Sequence, residues 1–201
     1  MSRRLSLLCL AGGLSLMAVG CKHFQPLDTK PLDAAGVGYA SIKKLEALKI
    51  TSEEIPEISK MRSAGFSDDS CVSIVEIYHQ RGTPFAAGDV VAGLEKAGAS
   101  EATILELARM DQLGLGAGEL QAMRLAGLSD AIILETAKHQ AAGTPSLSGL
   151  SLGKLKNAGL RESTLLELEQ RGIPDSAADQ ILAMRRHRAT DKEILRKFAG
   201  T

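Results

Sequence analysis

The chain has 201 residues, with 24 basic against 24 acidic side chains, and only 3% of its residues are aromatic. This balanced charge argues against the basic footprint of a nucleic-acid-binding protein. Abundant Ala and Leu, with few aromatic residues, predict an all-α fold. Three cysteines are too few for a disulfide framework, and Cys71 is expected to be a buried, inert thiol.

The first twenty residues have the three-part layout of a secretory signal peptide. Arg3 and Arg4 form a short basic start, residues 5–19 carry no charge, and small residues precede Cys21. The apolar run is shorter than the roughly 20 residues that a membrane-spanning helix needs. We therefore expect residues 1–20 to be a removable leader.

Because Cys21 directly follows a small residue and closes the apolar run, the segment resembles the signal peptide of bacterial lipoproteins. The resemblance implies cleavage before Cys21, a diacylglyceryl group on its sulfur and acylation of the new amine, which together give stable anchoring. Lys22, rather than Asp, follows the cysteine, and in that family this favours the outer membrane over the inner membrane. An ordinary secretory leader with an accidental cysteine is the alternative.

The segment after the leader contains Pro26, Pro31, Gly36 and Gly38 and has no helical periodicity. Together with Cys21 it predicts a flexible tether over residues 21–40. A helical repeat domain is expected over residues 41–201.

Six copies of a helix-turn-helix unit follow. The positions seven before, four before and six after the turn residue are apolar in all copies. Gly at the turn suits the left-handed residue that ends a helix, and Ser or Thr two residues later suits an N-cap. The turn residues are Lys49, Gly65, Gly98, Gly127, Gly159 and Arg188. An acidic residue that complements the helix dipole follows the N-cap position in five copies: Asp68, Glu101, Asp130, Glu162 and Asp191.

A longer repeat relates residues 82–137 to residues 143–198 without gaps. Gly-Thr-Pro begins both segments, and we expect these prolines to separate hairpins. The first two turns lie too close together for separate hairpins, so they should share the helix that contains Ile58 and Met61. The total is about eleven short helices in six units, forming a compact bundle or a short solenoid.

The unit also resembles the helix-turn-helix of bacterial DNA-binding proteins, most clearly over residues 94–104. That resemblance implies that the second helix of a unit enters the major groove. These helices carry acids such as Glu101 and Glu162, and like charge beside phosphate repels. The preferred interpretation is that this residue pattern is a general way of forming a tight turn between two helices. A cytosolic DNA-binding protein is the least favoured alternative.

No residue pattern predicts a catalytic, cofactor or metal site. Glu76 and His79 have the E-x-x-H spacing of di-iron bundles, but such sites need a second motif and two further glutamates. The glycine-rich run at 114–118 follows a predicted helix rather than a strand, so it predicts a linker. One shared repeat position, expected in the core, holds Met61, Met123 and Met184.

A basic cluster near the C-terminus is accompanied by only Asp191 and Glu193. A solvated helix face is one interpretation. The sharper hypothesis is contact with an anionic surface, such as lipid headgroups or a cell-wall polymer. The cluster consists of Arg185, Arg186, Arg188, Lys192, Arg196 and Lys197.

The sequence thus predicts a lipid-anchored, non-enzymatic cell-envelope protein whose helical array binds a protein partner or scaffolds an assembly. An envelope enzyme or its accessory subunit, with a site assembled across hairpins, is the other interpretation that remains open.

Overall fold

The computed structural model describes residues 27–113 and 117–199. Within these ranges the chain forms twelve α-helices, one 3-10 helix and no strand, which confirms the predicted all-α fold. No helix in the described part is long and apolar enough to cross a membrane. The helices are α1 (Lys30–Ala34), α2 (Tyr39–Ala47), α3 (Glu54–Ala64), α4 (Asp68–Gln80), α5 (Gly88–Lys96), α6 (Glu101–Arg109), α7 (Ala117–Leu125), α8 (Asp130–Ala142), α9 (Gly149–Asn157), α10 (Glu162–Gln170), α11 (Ala178–Arg186) and α12 (Asp191–Lys197).

The helices stack in two rows. Each odd-numbered helix packs on the next odd-numbered helix, and the even-numbered helices form the second row in the same way. Five pairs of helices form hairpins: α1–α2, α3–α4, α5–α6, α7–α8 and α9–α10. The last two helices, α11 and α12, extend the rows on α9 and α10, and we count them as the sixth, C-terminal hairpin. Each hairpin therefore contacts chiefly its neighbours, which is the arrangement of a short solenoid.

Each connection between consecutive helices ends the preceding helix in the same way. One residue adopts a left-handed conformation, and the next residue donates its N–H to the carbonyl five positions earlier, as Ala99 does to Leu94 at 3.0 Å. This is the Schellman motif, which satisfies carbonyls that a helix end leaves open. Within the hairpins the left-handed residues are Gly36, Gly65, Gly98, Gly127, Gly159 and Arg188; between hairpins they are Lys49, Gly82, Asp111, Gly143 and Gly172.

The register predicted for the first unit is wrong. Lys49 lies between two hairpins, and the turn of the first hairpin is Gly36, inside the segment predicted to be a tether. Residues 30–40 are therefore part of the array, and both Leu32 and Val37 are buried. The extra helix escaped the sequence analysis because α1 has only five residues, and because Pro31 lies in its first turn, where proline is tolerated. The sharing of α3 by two turns is confirmed.

The predicted apolar positions form the core. All are at most 6% exposed in every aligned copy, with the exception of Met184. Met184 is only half-buried, because no helix of the described residues packs on the outer side of α11. Cys71 is a fully buried free thiol, and burial raises its pKa to about 12, in agreement with the predicted inert cysteine.

The five predicted acidic residues bind the preceding hairpin rather than only their own helix. Each carboxylate accepts a hydrogen bond from the backbone N–H at the N-cap of the previous even-numbered helix. The bonds are Gly38–Asp68 at 2.7 Å, Ser67–Glu101 at 2.7 Å, Ser100–Asp130 at 3.2 Å, Ser129–Glu162 at 2.6 Å and Arg161–Asp191 at 3.1 Å. Each joins residues about thirty positions apart, so it ties consecutive hairpins together.

A basic residue completes the contact at four of the five junctions. It lies three positions before the turn residue and pairs with the acid three positions after it, as Arg185 does with Asp191 at 3.1 Å. Arg185 also donates to the carbonyl of Gly159, the turn residue of the preceding hairpin, at 2.5 Å. We call such a basic and acidic residue together a turn clamp. The four clamps are Arg62–Asp68, Arg124–Asp130, Lys156–Glu162 and Arg185–Asp191.

Glu95 is the exception at the remaining junction. It occupies the basic position of the clamp, although its acidic counterpart is Glu101. One oxygen of its carboxylate is buried without a hydrogen-bond partner. Burial and then the nearby Glu101 raise the pKa of Glu95. The third hairpin is thus joined to the second by one half of a clamp, through the bonds of Glu101 to Ser67 and Ser70.

Replacing Glu101 with alanine should lower the free energy of unfolding by about 2 kcal/mol, since the N–H of Ser67 and two serine hydroxyls lose a charged acceptor. Chemical denaturation measures the change. Glu106→Ala is the matched control, because Glu106 is on the same helix and pairs only with Arg109 in its own helix; its loss should stay below about 0.5 kcal/mol. Equal losses in the two variants would contradict the inter-hairpin role.

Replacing Glu95 with arginine should raise the free energy of unfolding by about 1 kcal/mol, because a full clamp with Glu101 replaces two like charges. The same denaturation experiment tests this gain. Glu76→Arg makes the same charge change at an exposed position of α4 and should leave stability within about 0.5 kcal/mol of the parent. A destabilised Glu95→Arg protein would show that this junction does not accept a clamp.

Candidate binding surface at the C-terminal hairpin

The six residues of the predicted basic cluster divide into two groups. Arg185 belongs to a turn clamp, and its guanidinium is used by Asp191 and by the carbonyls of Ala158, Gly159 and Ala189 rather than left open to an anionic surface. The other five are exposed, and none forms an ion pair with a carboxylate in the described part of the chain. These five, which we call the terminal cations, are Arg186, Arg188, Lys192, Arg196 and Lys197.

A surface cleft of about 500 Å³ lies between the end of α11 and α12. Met184 and Ala189 give it an apolar floor, and both are only partly buried. The terminal cations Arg188, Arg196 and Lys197 lie along its rim. In the preceding hairpins the residues that correspond to this floor are buried under the next hairpin, as Leu155 and Leu160 are. The cleft is therefore the uncovered counterpart of an inter-hairpin junction.

Arg188 is held in an unfavourable backbone conformation. Its φ is 64°, in the left-handed region, whereas the other five hairpin turns have glycine at this position. A side chain in that region costs roughly 1 kcal/mol relative to glycine. Arg188 therefore places a charged side chain beside the cleft, at a turn position where the other five hairpins have no side chain.

The backbone N–H of the N-cap residue of α12 finds its hydrogen-bond acceptor within the same helix. Thr190 and Glu193 form a capping box, in which the Glu193 carboxylate accepts from the Thr190 N–H at 2.7 Å. At the internal junctions this N–H position is bound by the acid of the next hairpin. Hydrogen bonds from Thr190 lower the pKa of Glu193. Of the described residues, Glu193 alone places a carboxylate at the cleft, and Thr190 already engages it.

His79 does not pair with Glu76, its partner in the E-x-x-H spacing. Its Nε2 lies 2.6 Å from Oε1 of the buried Glu54, and its Nδ1 lies 2.9 Å from the carbonyl of Leu48. Burial alone would raise the pKa of Glu54, but hydrogen bonds from Phe85, Thr51 and His79 outweigh it and the pKa is lowered. Both ring nitrogens are engaged, so the pair serves to hold the linker between α4 and α5 in place.

Glu169 is a second fully buried carboxyl that the sequence analysis missed. It accepts from the Leu147 N–H at 2.9 Å and from the Thr136 hydroxyl at 3.0 Å, beneath the linker between α8 and α9. Burial raises its pKa to about 7, and the nearby Glu135 and Asp175 add to the increase. Like Glu54, it satisfies the backbone of a proline-containing linker.

The helical corner expected from the DNA-binding resemblance is present, but its surface is used differently. The first turn of α6 contacts the preceding hairpin through Glu101, and the first turn of α10 does so through Glu162. In a helix-turn-helix protein the same end of the second helix faces the major groove. Here it faces protein.

Cys21, the predicted lipidation site, lies outside the described residues, as do residues 114–116 of the predicted glycine-rich linker. Among the residues described, no group of three His, Cys, Asp or Glu side chains is arranged to hold a metal ion. Comparison of the chain with protein-family models, with curated proteins and with solved structures gave no match.

Two sequence features could have located the cleft in advance. Arg188 stands in a column where four of the other five aligned turn residues are glycine, and Thr190-x-x-Glu193 is the standard spacing of a capping box. The exposed floor of the cleft could not be predicted from the sequence, because Met184 occupies a position that belongs to the core in every other repeat. Met184 is exposed because no described helix packs on the outer side of α11.

Replacing Glu169 with glutamine should remove a pH dependence from the fold. In the parent the folded-state pKa, about 7, lies above the ordinary value of 4.5, so Glu169 destabilises the fold as pH rises from 4.5 to about 7. We expect Glu169→Gln to flatten this part of the stability profile and to be more stable than the parent above pH 7, by roughly 2 to 3 kcal/mol.

Urea denaturation at a series of pH values measures this effect. The control is Glu167→Gln, on the same helix, where the carboxylate is 44% exposed and bound to Arg171. That variant should keep the parent slope. A parent protein whose stability does not fall between pH 5 and about 7 would contradict the assignment to Glu169.

Proposed function

We propose that this chain is a lipid-anchored, non-enzymatic protein of the bacterial cell envelope, held at the outer membrane through Cys21. Its helical array binds a protein partner or scaffolds an assembly. The observation that carries the proposal is the gathering of the terminal cations beside an apolar-floored cleft at one end of the array, while the predicted anchor lies before the other end.

The geometry of the array supports a binding role. Clamps join most of the hairpins, so the array is suited to present one end as a fixed surface. With interaxial distances of about 8 to 10 Å, six stacked hairpins separate the two ends by roughly 40 to 50 Å. An anchored array of this kind holds its terminal cleft at a distance from the lipid and accessible to other envelope components.

The lipid anchor is tested by substituting Cys21 with serine in the protein's own cells. We expect the parent chain to incorporate a clickable palmitate analogue and to fractionate with outer membranes, and we expect Cys21→Ser to lose the label. The reason is that the acyl groups need the thiol and the amine of this one residue. Gel fluorescence after membrane fractionation measures both properties.

Cys9→Ser is the matched control, because it removes the other cysteine of the leader and should leave labelling unchanged. An unlabelled parent chain, or a Cys21→Ser chain that still carries the label, would refute the anchor.

A further inference from the structure

We infer that the cleft between α11 and α12 is a docking site for an acidic segment of a partner protein, which places carboxylates on the terminal cations and an apolar side chain on Met184 and Ala189. This inference rests on the proposed binding function and names its partner class. Its test does not require the lipid anchor.

Charge complementarity requires an acidic partner. Arg188, Arg196 and Lys197 line the cleft, and Arg186 and Lys192 lie on the same hairpin. Among the described residues, Glu193 is the one acid at the cleft; it is hydrogen-bonded to Thr190 and interacts electrostatically with Arg196, so a single carboxylate accompanies three lining cations and the cleft keeps a net positive charge. Arginine binds carboxylates through paired hydrogen bonds, so two arginines at one rim favour carboxylate-bearing ligands.

The floor of the cleft favours a peptide over a purely charged polymer. Met184 and Ala189 are partly exposed at its base, where the corresponding residues of other hairpins are covered by protein. An amphipathic peptide covers such a floor with an apolar side chain, and methionine adapts its shape to the contact. A polyanion without apolar groups would leave Met184 and Ala189 exposed to water.

A further repeat of this array does not fit the cleft. An incoming hairpin would bring an acid to the N-cap N–H of α12, but the Thr190 N–H is already bound by Glu193. Its clamp would also bring a basic residue to the turn carbonyl of Arg188, amid the terminal cations. The membrane next to the predicted anchor is disfavoured by position, because the cleft is at the other end of the stack.

The test measures binding of a fluorescein-labelled peptide, with glutamates on one helical face and leucines on the other, to the full-length chain in neutral detergent by fluorescence anisotropy. Arg188→Gly should weaken binding by roughly three- to tenfold, because a rim charge is lost. It should leave Tm unchanged or raise it, because glycine relieves the left-handed φ of 64°. A residue with only a structural role does not combine these two effects.

Lys49→Gly is the matched control. Lys49 is an exposed cation with a φ of 60°, but it lies at the opposite edge of the array near the other end. This variant should gain stability in the same way and bind the peptide like the parent. A peptide with glutamine in place of each glutamate should not bind.

The remaining outcomes would overturn the proposal. They are no binding of the acidic peptide, equal binding of the glutamine peptide, or equal weakening by Arg188→Gly and Lys49→Gly. Displacement of the peptide by phosphatidylglycerol doped into the micelles, lost in Arg188→Gly, would assign the cleft to lipid headgroups instead. Because this assay needs no acylation, its failure is distinguishable from failure of the Cys21 experiment.

Discussion

The whole stack depends on supplying partners for the backbone groups at each hairpin turn. A tight turn between two helices leaves carbonyl and N–H groups without an intrahelical partner. In this chain the next hairpin supplies the partners, with a carboxylate on the N-cap N–H and, at most junctions, a cation on or near the turn carbonyl. Helices of five to thirteen residues, which are marginal alone, thereby gain polar and apolar contacts from the same neighbour.

The same rule distinguishes internal hairpins from terminal ones. In the first hairpin Tyr39 occupies the position of the clamp acid and is 76% exposed. No described helix precedes this hairpin. In the sixth, Glu193 caps its own helix and replaces the acid of a following hairpin. Terminal repeats of a solenoid need such a separate solution, because one of their faces meets something other than another repeat. The cleft beside Arg188 is a consequence of that solution.

The sequence alone predicts those structural features that recur at a fixed spacing in each repeat. The apolar columns, the turn glycines and the N-cap serines recur at fixed spacing, so the core and most turns could be predicted. The clamps could not, because the backbone groups that they bind lie about thirty positions earlier in the chain, and because their members resemble ordinary solvated charges. Gly88 shows the same limit: a Cβ there would lie 2.4 Å from the Glu57 carbonyl oxygen of the neighbouring helix, a contact that no helical pattern reveals.

Carboxyl groups of the array respond to acid in opposite ways. At the hairpin-turn edge, burial opposes ionisation of Glu101, Asp130 and Asp191, but hydrogen bonds and nearby arginines prevail and lower their pKa values. Their contribution to stability is therefore present above the ordinary carboxyl pKa and is lost as pH falls below it. At the linker edge, the pKa of Glu54 is also lowered, but the pKa of Glu169 is raised, so its ionisation destabilises the fold as pH rises towards 7. The contribution of these groups to stability is therefore greatest just above the ordinary carboxyl pKa, at about pH 4.5 to 5, where Glu101, Asp130 and Asp191 are charged and the loss from Glu169 has only begun.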